Sequence, residues 1–191
     1  VPVEQLAYAV DEKGRDAMAV DTLRNRRCVW KRLYLLGRYK KINRIHTSNT
    51  CTVWVVNDME EASKRLALKH MKNRDQFLRE IEIRAAQQLD PTYVVGISQH
   101  HSDELILLMS CADCSLEDAI SKEHFTGIEL AAVVVIARQI ARCIQHLHDQ
   151  GIGHADLKPR NIVRVNGKWL LIDLDAACFM GEEIGSKISS G

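Results

Sequence analysis

From Arg38 to Asp58 the pattern of apolar and polar positions marks two β-rich runs separated by a polar one. Tyr39 to Ile45 and Thr52 to Val56 read as two strands, joined by the polar run His46-Thr47-Ser48-Asn49-Thr50-Cys51. Asp58 to Lys64 is a charged turn. Leu66 to Met71 predicts a third strand, which puts Ala67, Lys69 and Met71 on one face. The period then changes. Phe77, Ile81, Ala85 and Leu89 recur at helical spacing, so a helix is expected from Asp75 to Leu89, stopped by Asp90-Pro91. Glu80, three residues after Phe77, borders its buried side. Two more strands are expected over Tyr93 to Ser98 and Glu104 to Met109, with His100-His101 in the solvated turn between them.

Beyond Ser115 the pattern is mainly helical. Ser115 to Ile120 starts a short helix, and Thr126-Gly127-Ile128-Glu129 reads as a capping box opening a long one that runs to about Asp149. Val133, Ile136, Ile140, Ile144 and Leu147 form its apolar stripe, and Gly151 and Gly153 end it. Ile162 to Val165 and Trp169 to Ile172 are short strands joined by an Asn166-Gly167 hairpin turn. From Met180 onward no period is visible. At the other end, Val1 to about Trp30 reads as short helices. Ala9 to Val20 resembles the turn and first helix of an ankyrin repeat, but only one copy is visible, and an arbitrary helical leader fits equally well.

The 191 residues suit one domain, or one with an appendage. Lys plus Arg is 26 against 25 Asp plus Glu, a formal charge of +1, which gives no electrostatic reason to expect nucleic acid or an anionic membrane as partner. No apolar run, the one containing Ala131 to Ala137 included, approaches the ~18 residues that span a bilayer. The chain begins Val1-Pro2-Val3 without a signal peptide or an initiator Met, so a fragment or processed product is expected. Cys28, Cys51, Cys111, Cys114, Cys143 and Cys178 are scattered, which suits free thiols in a reducing cytosol. Cys111 and Cys114 have the spacing of half a zinc site, but no second pair follows. His146 and His148 fall on different helix faces and cannot chelate together. Lys31-Arg32 and Arg38 to Lys41 read as solvated basic surface.

Chemistry concentrates in His154-Ala155-Asp156-Leu157-Lys158-Pro159-Arg160-Asn161 and in Asp173, twelve residues after Asn161. Asp156, Asn161 and Asp173 are hard oxygen ligands or proton acceptors on loops beside short strands. Mg²⁺ takes such ligands, usually one or two from protein together with phosphates, and a further carboxylate can accept a proton from an attacking hydroxyl. A solvated turn would account for one of these residues far more easily than for the whole set.

This stretch resembles the catalytic loop of eukaryotic protein kinases, and Asp173-Leu174-Asp175 resembles their magnesium-binding segment. The resemblance covers about residues 37 to 191, in the family's order. Ala67-Leu68-Lys69 resembles the family's lysine strand, and Glu80 the helix glutamate that pairs with that lysine. Pro91 to Val95 resembles the segment after that helix, and Met109 to Ala112 falls where the adenine-binding hinge belongs.

The resemblance implies an α+β, two-lobe fold. A leader occupies residues 1–36, a complete β-rich small lobe with one helix 37–111, and an incomplete helical large lobe 112–191. It implies transfer of the γ-phosphoryl group of ATP, with Mg²⁺, to serine or threonine hydroxyls of a protein. Asp156 would deprotonate the hydroxyl and Lys158 would steady the transferring group. Asn161 and Asp173 would hold Mg²⁺. Lys69 would contact the α- and β-phosphates, positioned by Glu80 in an ion pair that helix movement can break. Val53, Ala67, Met109 and Cys111 would line the adenine site. His154 would be a packed structural residue. Lys158 with Pro159 resembles the serine/threonine branch, and small-molecule kinases of similar fold usually carry His in place of Lys158.

Three positions depart from the family pattern. The expected phosphate loop, His46 to Cys51, contains no glycine. Ala155 replaces the arginine that usually binds a phosphorylated activation loop. Asp175 replaces a glycine. The glycine-free loop and Asp175 keep a rival open, a catalytically weak kinase-like binding module that the ankyrin-like leader would tether to ankyrin repeats. Nothing after Gly191 supplies the rest of a large lobe, so the Val133 to Leu147 helix is expected to expose apolar surface.

Overall fold

The computed structural model describes residues 34–61, 64–86, 89–125 and 129–181. The leader, including the ankyrin-like stretch and Lys31-Arg32, lies outside them. Six strands form one antiparallel sheet in the order β1-β2-β3-β4-β6-β5. They are β1 (Tyr34–Leu35), β2 (Tyr39–Thr47), β3 (Cys51–Asp58), β4 (Arg65–Met71), β5 (Ile97–His101) and β6 (Ile106–Ser110). Helix α1 (Arg74–Ala86) interrupts them between β4 and β5.

The sheet curls until its far strands meet. The Tyr39 hydroxyl on β2 donates to Gln99 Oε1 on β5 at 2.8 Å, although three strands separate them. Tyr39, Val56, Leu66, Leu68, Ile106 and Leu108 fill the curl. Residues of the opposite parity on β4, Ala67 and Met71, join Phe77 of α1 and Leu107 in a second cluster. Alternation along β4 therefore sends Lys69, as expected, to the face that carries α1.

The buried face of α1 differs from the expected one. Phe77, Glu80 and Ile83 are buried, Ile81 is half-buried and Ala85 is exposed. The apolar count placed Phe77 correctly but ran the stripe on through Ile81 to Ala85, because the buried carboxylate of Glu80 occupies the inward line there. Asn73 Oδ1 accepts from the Gln76 amide at 3.1 Å and opens the helix. The strand expected from Tyr93 starts later, at Ile97. Tyr93 and Val94 lie in a turn tied to the next lobe by Val94↔Leu171, and His100-His101 belong to β5 rather than to a turn. Arg38, expected on a solvated surface, instead grips the buried Asp58 carboxylate with two hydrogen bonds of 2.7 and 2.5 Å.

The second half contains β7 (Cys114–Ser115), α2 (Leu116–Glu123), α3 (Leu130–Asp149), β8 (Ile152–Gly153), β9 (Ile162–Val165), β10 (Lys168–Leu171) and β11 (Cys178–Phe179). Ser115 and Asp118 form a reciprocal capping box on α2. The box expected to open α3 is not the observed start. Glu129 itself stands at the N-cap and makes no side-chain cap, and 126–128 lie outside the described residues. The β9–β10 hairpin turns at Asn166 and Gly167, φ +50° and +77°, the left-handed pair that such a two-residue turn requires.

Cys143 and Leu147 of α3 are buried with Leu171 and Leu174, and Val133, Ile136, Ile140 and Ile144 pack half-buried around them. Leu130 is 77% and Val135 53% exposed on the other side. By length and composition alone α3 is the one described helix long and apolar enough to cross a membrane, although Arg138 and Arg142 interrupt its apolar run. One apolar cluster joins the halves, with Val53, Ala67 and Met109 on one side and Val163, Leu170 and Ile172 on the other.

Candidate active site

The candidate groups converge where the two halves meet. Val53 lies directly across from Lys69 on β3, and Ala67 pairs with Met109 on β6. Val53, Ala67 and Met109 therefore share one apolar wall with Ile172. Cys111, just beyond β6, is half-buried, and its Sγ lies 3.7 Å from the Ala112 carbonyl oxygen.

Lys69 is 6% exposed and Glu80 0%. The Lys69 ammonium donates to Glu80 Oε2 at 3.0 Å and also to Asp173 Oδ1. Burial alone would lower the Lys69 pKa. The charges of Glu80, Asp173 and Asp175 outweigh it and raise the pKa, so this lysine is charged at every physiological pH. The other Glu80 oxygen accepts from Arg84 Nε and Nη2 at 3.3 and 3.1 Å. Sequence reasoning missed Arg84. The signal was available, since an arginine four residues after a glutamate shares its helix face.

The second cluster sits on the loop before β9. Asp156 Oδ2 accepts from Lys158 Nζ at 2.6 Å and from Asn161 Nδ2 at 3.0 Å. Asn161 Nδ2 also donates to the Asp156 carbonyl at 2.9 Å, which orients the amide and points its Oδ1 away from the aspartate. This loop is sewn to the strand carrying Asp173. The Ile172 amide donates to the Asn161 carbonyl at 3.0 Å, and His154 Nε2 donates to the Ile172 carbonyl at 3.0 Å. His154, 6% exposed, is thus the packed residue expected. Ala155 and Asp173 adopt left-handed backbone, φ +59° and +70°, at about 1–3 kcal/mol each for a residue with a Cβ. The packing around them holds both in place and so fixes where the two aspartates project.

Asn161 Oδ1 and the Asp173 carboxylate are hard oxygen donors on adjoining backbone, a set that fits Mg²⁺ better than a softer metal. Asp175, half-buried two residues on, is pushed up to about 7, first by burial and then by the charge of Asp173, against the pull of Lys69.

The turn between β2 and β3 closes on itself. The amides of Thr50 and Cys51 donate to Ser48 Oγ at 3.2 and 3.1 Å, and the Ser48 amide donates to the Cys51 carbonyl at 2.9 Å. Lys72 adds a bond from its ammonium to the Ser48 carbonyl at 2.6 Å. A glycine-rich loop would offer such amides to a phosphate. Here Ser48 already holds two of them.

A family model described as "Protein kinase domain" matches residues 38–188. The chain is 27% identical over 143 residues to the DYRK-family kinase pom1 of Schizosaccharomyces pombe, which covers 68% of this chain and 13% of that protein. It is 27% identical over 148 residues to the serine/threonine-protein kinase MPS1 of Saccharomyces cerevisiae (74% and 19%). It is 29% identical over 145 residues to a dual specificity protein kinase YAK1 homolog of Arabidopsis thaliana (68% and 15%). The chain spans between 13% and 19% of the length of these relatives.

Proposed function

The chain belongs to the protein kinase family, and from that premise we propose that it serves as the ATP-binding and catalytic part of a serine/threonine protein kinase. One observation carries the reading: Lys69, Glu80 and Asp173 form one contiguous ion-paired group, sewn through Ile172 to the loop holding Asp156 and Asn161. Residues up to 104 positions apart in sequence meet there.

Adenine fits the apolar wall of Val53, Ala67, Met109 and Ile172, beside Cys111. Lys69 is permanently charged and its position is fixed by Glu80, so it suits contact with the α- and β-phosphates. Asp156 has one carboxylate oxygen committed to Lys158 and Asn161. Its Oδ1 is left to accept the proton of an incoming serine or threonine hydroxyl. As that oxygen bonds to the γ-phosphorus, the bond from phosphorus to the β–γ bridging oxygen breaks and ADP leaves. Lys158 stabilises the charge on the transferring group. Asn161 and Asp173 would hold Mg²⁺, which supplies charge neutralisation at the phosphates.

A second reading, a kinase-like binding module, is favoured by the self-closed turn at Ser48. Calorimetry separates the two. The first predicts Mg²⁺-dependent ATP binding that weakens at least tenfold in both Lys69→Met and Asp173→Asn. Metal-independent binding, or none, favours the second.

A further inference from the structure

Glu80 is wholly enclosed and carries two cations, one on each oxygen. Arg84 uses Nε and Nη2 for Glu80, and its Nη1 donates to the Val95 carbonyl at 2.8 Å. The Val95 amide in turn donates to the Leu171 carbonyl at 2.9 Å. Leu171 lies two residues before Asp173, which contacts Lys69, and Lys69 returns to Glu80. The chain of contacts closes into a ring through α1, the segment before β5, β10 and β4. A planar guanidinium can hold a carboxylate and a carbonyl at once, which an ammonium on a single stem does less well.

The residue before Glu80 makes an independent tie. Arg79 Nε donates to the Ala177 carbonyl at 2.9 Å, and its guanidinium lies 5.6 Å from the Phe179 ring centre. Phe179 and Cys178 pair with Ile152 and Gly153, directly before His154. Helix α1 is therefore fastened on both sides of Glu80, to two different segments.

We propose that Arg84 is a positioning residue that clamps Glu80, and through it Lys69, so that α1 stays docked without nucleotide and without a phosphate on the segment after Asp173. Swinging α1 outward would carry Arg84 along with Glu80, so it would part the buried carboxylate from Lys69 and break the Arg84 bond to the Val95 carbonyl, the tie that holds the pair to the segment before β5. The ion pair of Lys69 and Glu80 is then a permanent fixture of this chain rather than its switch. The role of Lys69 toward phosphates rests on the phosphotransferase reading, whereas the docking of α1 does not.

The test is amide hydrogen exchange across α1 on the whole chain, with ATP and adenosine affinities measured in parallel. In the wild type, exchange in α1 is expected to be slow without nucleotide and to change less than twofold when ATP and Mg²⁺ are added. Arg84→Met is expected to speed it at least tenfold while β9 and β10 keep their protection. It should weaken ATP at least fivefold and adenosine less than twofold, and Arg84→Lys should recover part of both effects. Wild-type exchange rates in Arg84→Met, or protection of α1 that arises only with ATP, would overturn the clamp. Equal weakening of ATP and adenosine would also overturn it, since general damage acts on both. If Arg84→Met does not fold, Arg84→Lys carries the same test: faster α1 exchange with a selective loss of ATP supports the clamp, and unchanged values refute it. A protected wild-type helix in a chain that binds no ATP supports the docking and contradicts the phosphotransferase reading.

Discussion

Asp175→Asn should stabilise the protein at pH 8 and by much less at pH 4.5. Burial and the neighbouring Asp173 charge push the Asp175 carboxyl up to about 7, whereas in an unfolded chain it titrates near ~3.9. Between those values the folded state binds more protons than the unfolded one, so stability falls as pH rises. The loss begins near pH ~4 and is complete above pH ~7. Three units at ~1.4 kcal/mol each set a ceiling of about 4 kcal/mol, and partial solvent access lowers it to about 2–4 kcal/mol. Asparagine keeps the shape and cannot ionise. Urea unfolding should give a variant more stable by about 2–4 kcal/mol at pH 8, with a melting temperature higher by roughly 5–10 °C, and by about 1 kcal/mol or less at pH 4.5. A variant that gains equally at both pH values, or loses stability at pH 8, refutes the reasoning.

Two other substitutions probe separate features. Ser48→Ala frees the Thr50 and Cys51 amides, so calorimetry should show ATP binding about 5–10-fold tighter with adenosine unchanged; weaker ATP binding would make the hydroxyl itself the phosphate ligand. Asp58 is held down to about 2 by its hydrogen bonds from Arg38. Its stabilising contribution is therefore complete above pH ~4 and lost as pH falls towards ~2. In an acid titration followed by circular dichroism, Asp58→Asn should start less stable at pH 5 and lose less between pH 4 and pH 2.

The sequence pattern located β3 and β4 although each buries one charged residue, Asp58 and Lys69, because the other buried positions of both strands are apolar; it located α3 by its apolar stripe and the β9–β10 hairpin because the turn demands Asn-Gly. It located α1 but misjudged part of its buried face, because Glu80 takes an inward position there and an inward charge is invisible to an apolar count until its partners are known. Lys69 and Glu80 were legible as a pair only through the family resemblance. Arg84 was not, although its spacing from Glu80 was on display. The curl of the small-lobe sheet depends on Tyr39 meeting Gln99, sixty positions away, and no local pattern encodes such a meeting. The missing glycines of the phosphate loop were plain in the sequence. That Ser48 turns the loop's own amides inward depends on the folded turn, which no residue pattern encodes.

The most direct test is transfer of labelled γ-phosphate from ATP to serine- and threonine-containing peptides, comparing the wild type with Asp156→Asn. Label on hydroxyl residues that falls at least a hundredfold in the variant is the predicted result. Equal labelling by the two proteins, or none by the wild type, would contradict a phosphoryl-transfer centre built on Asp156.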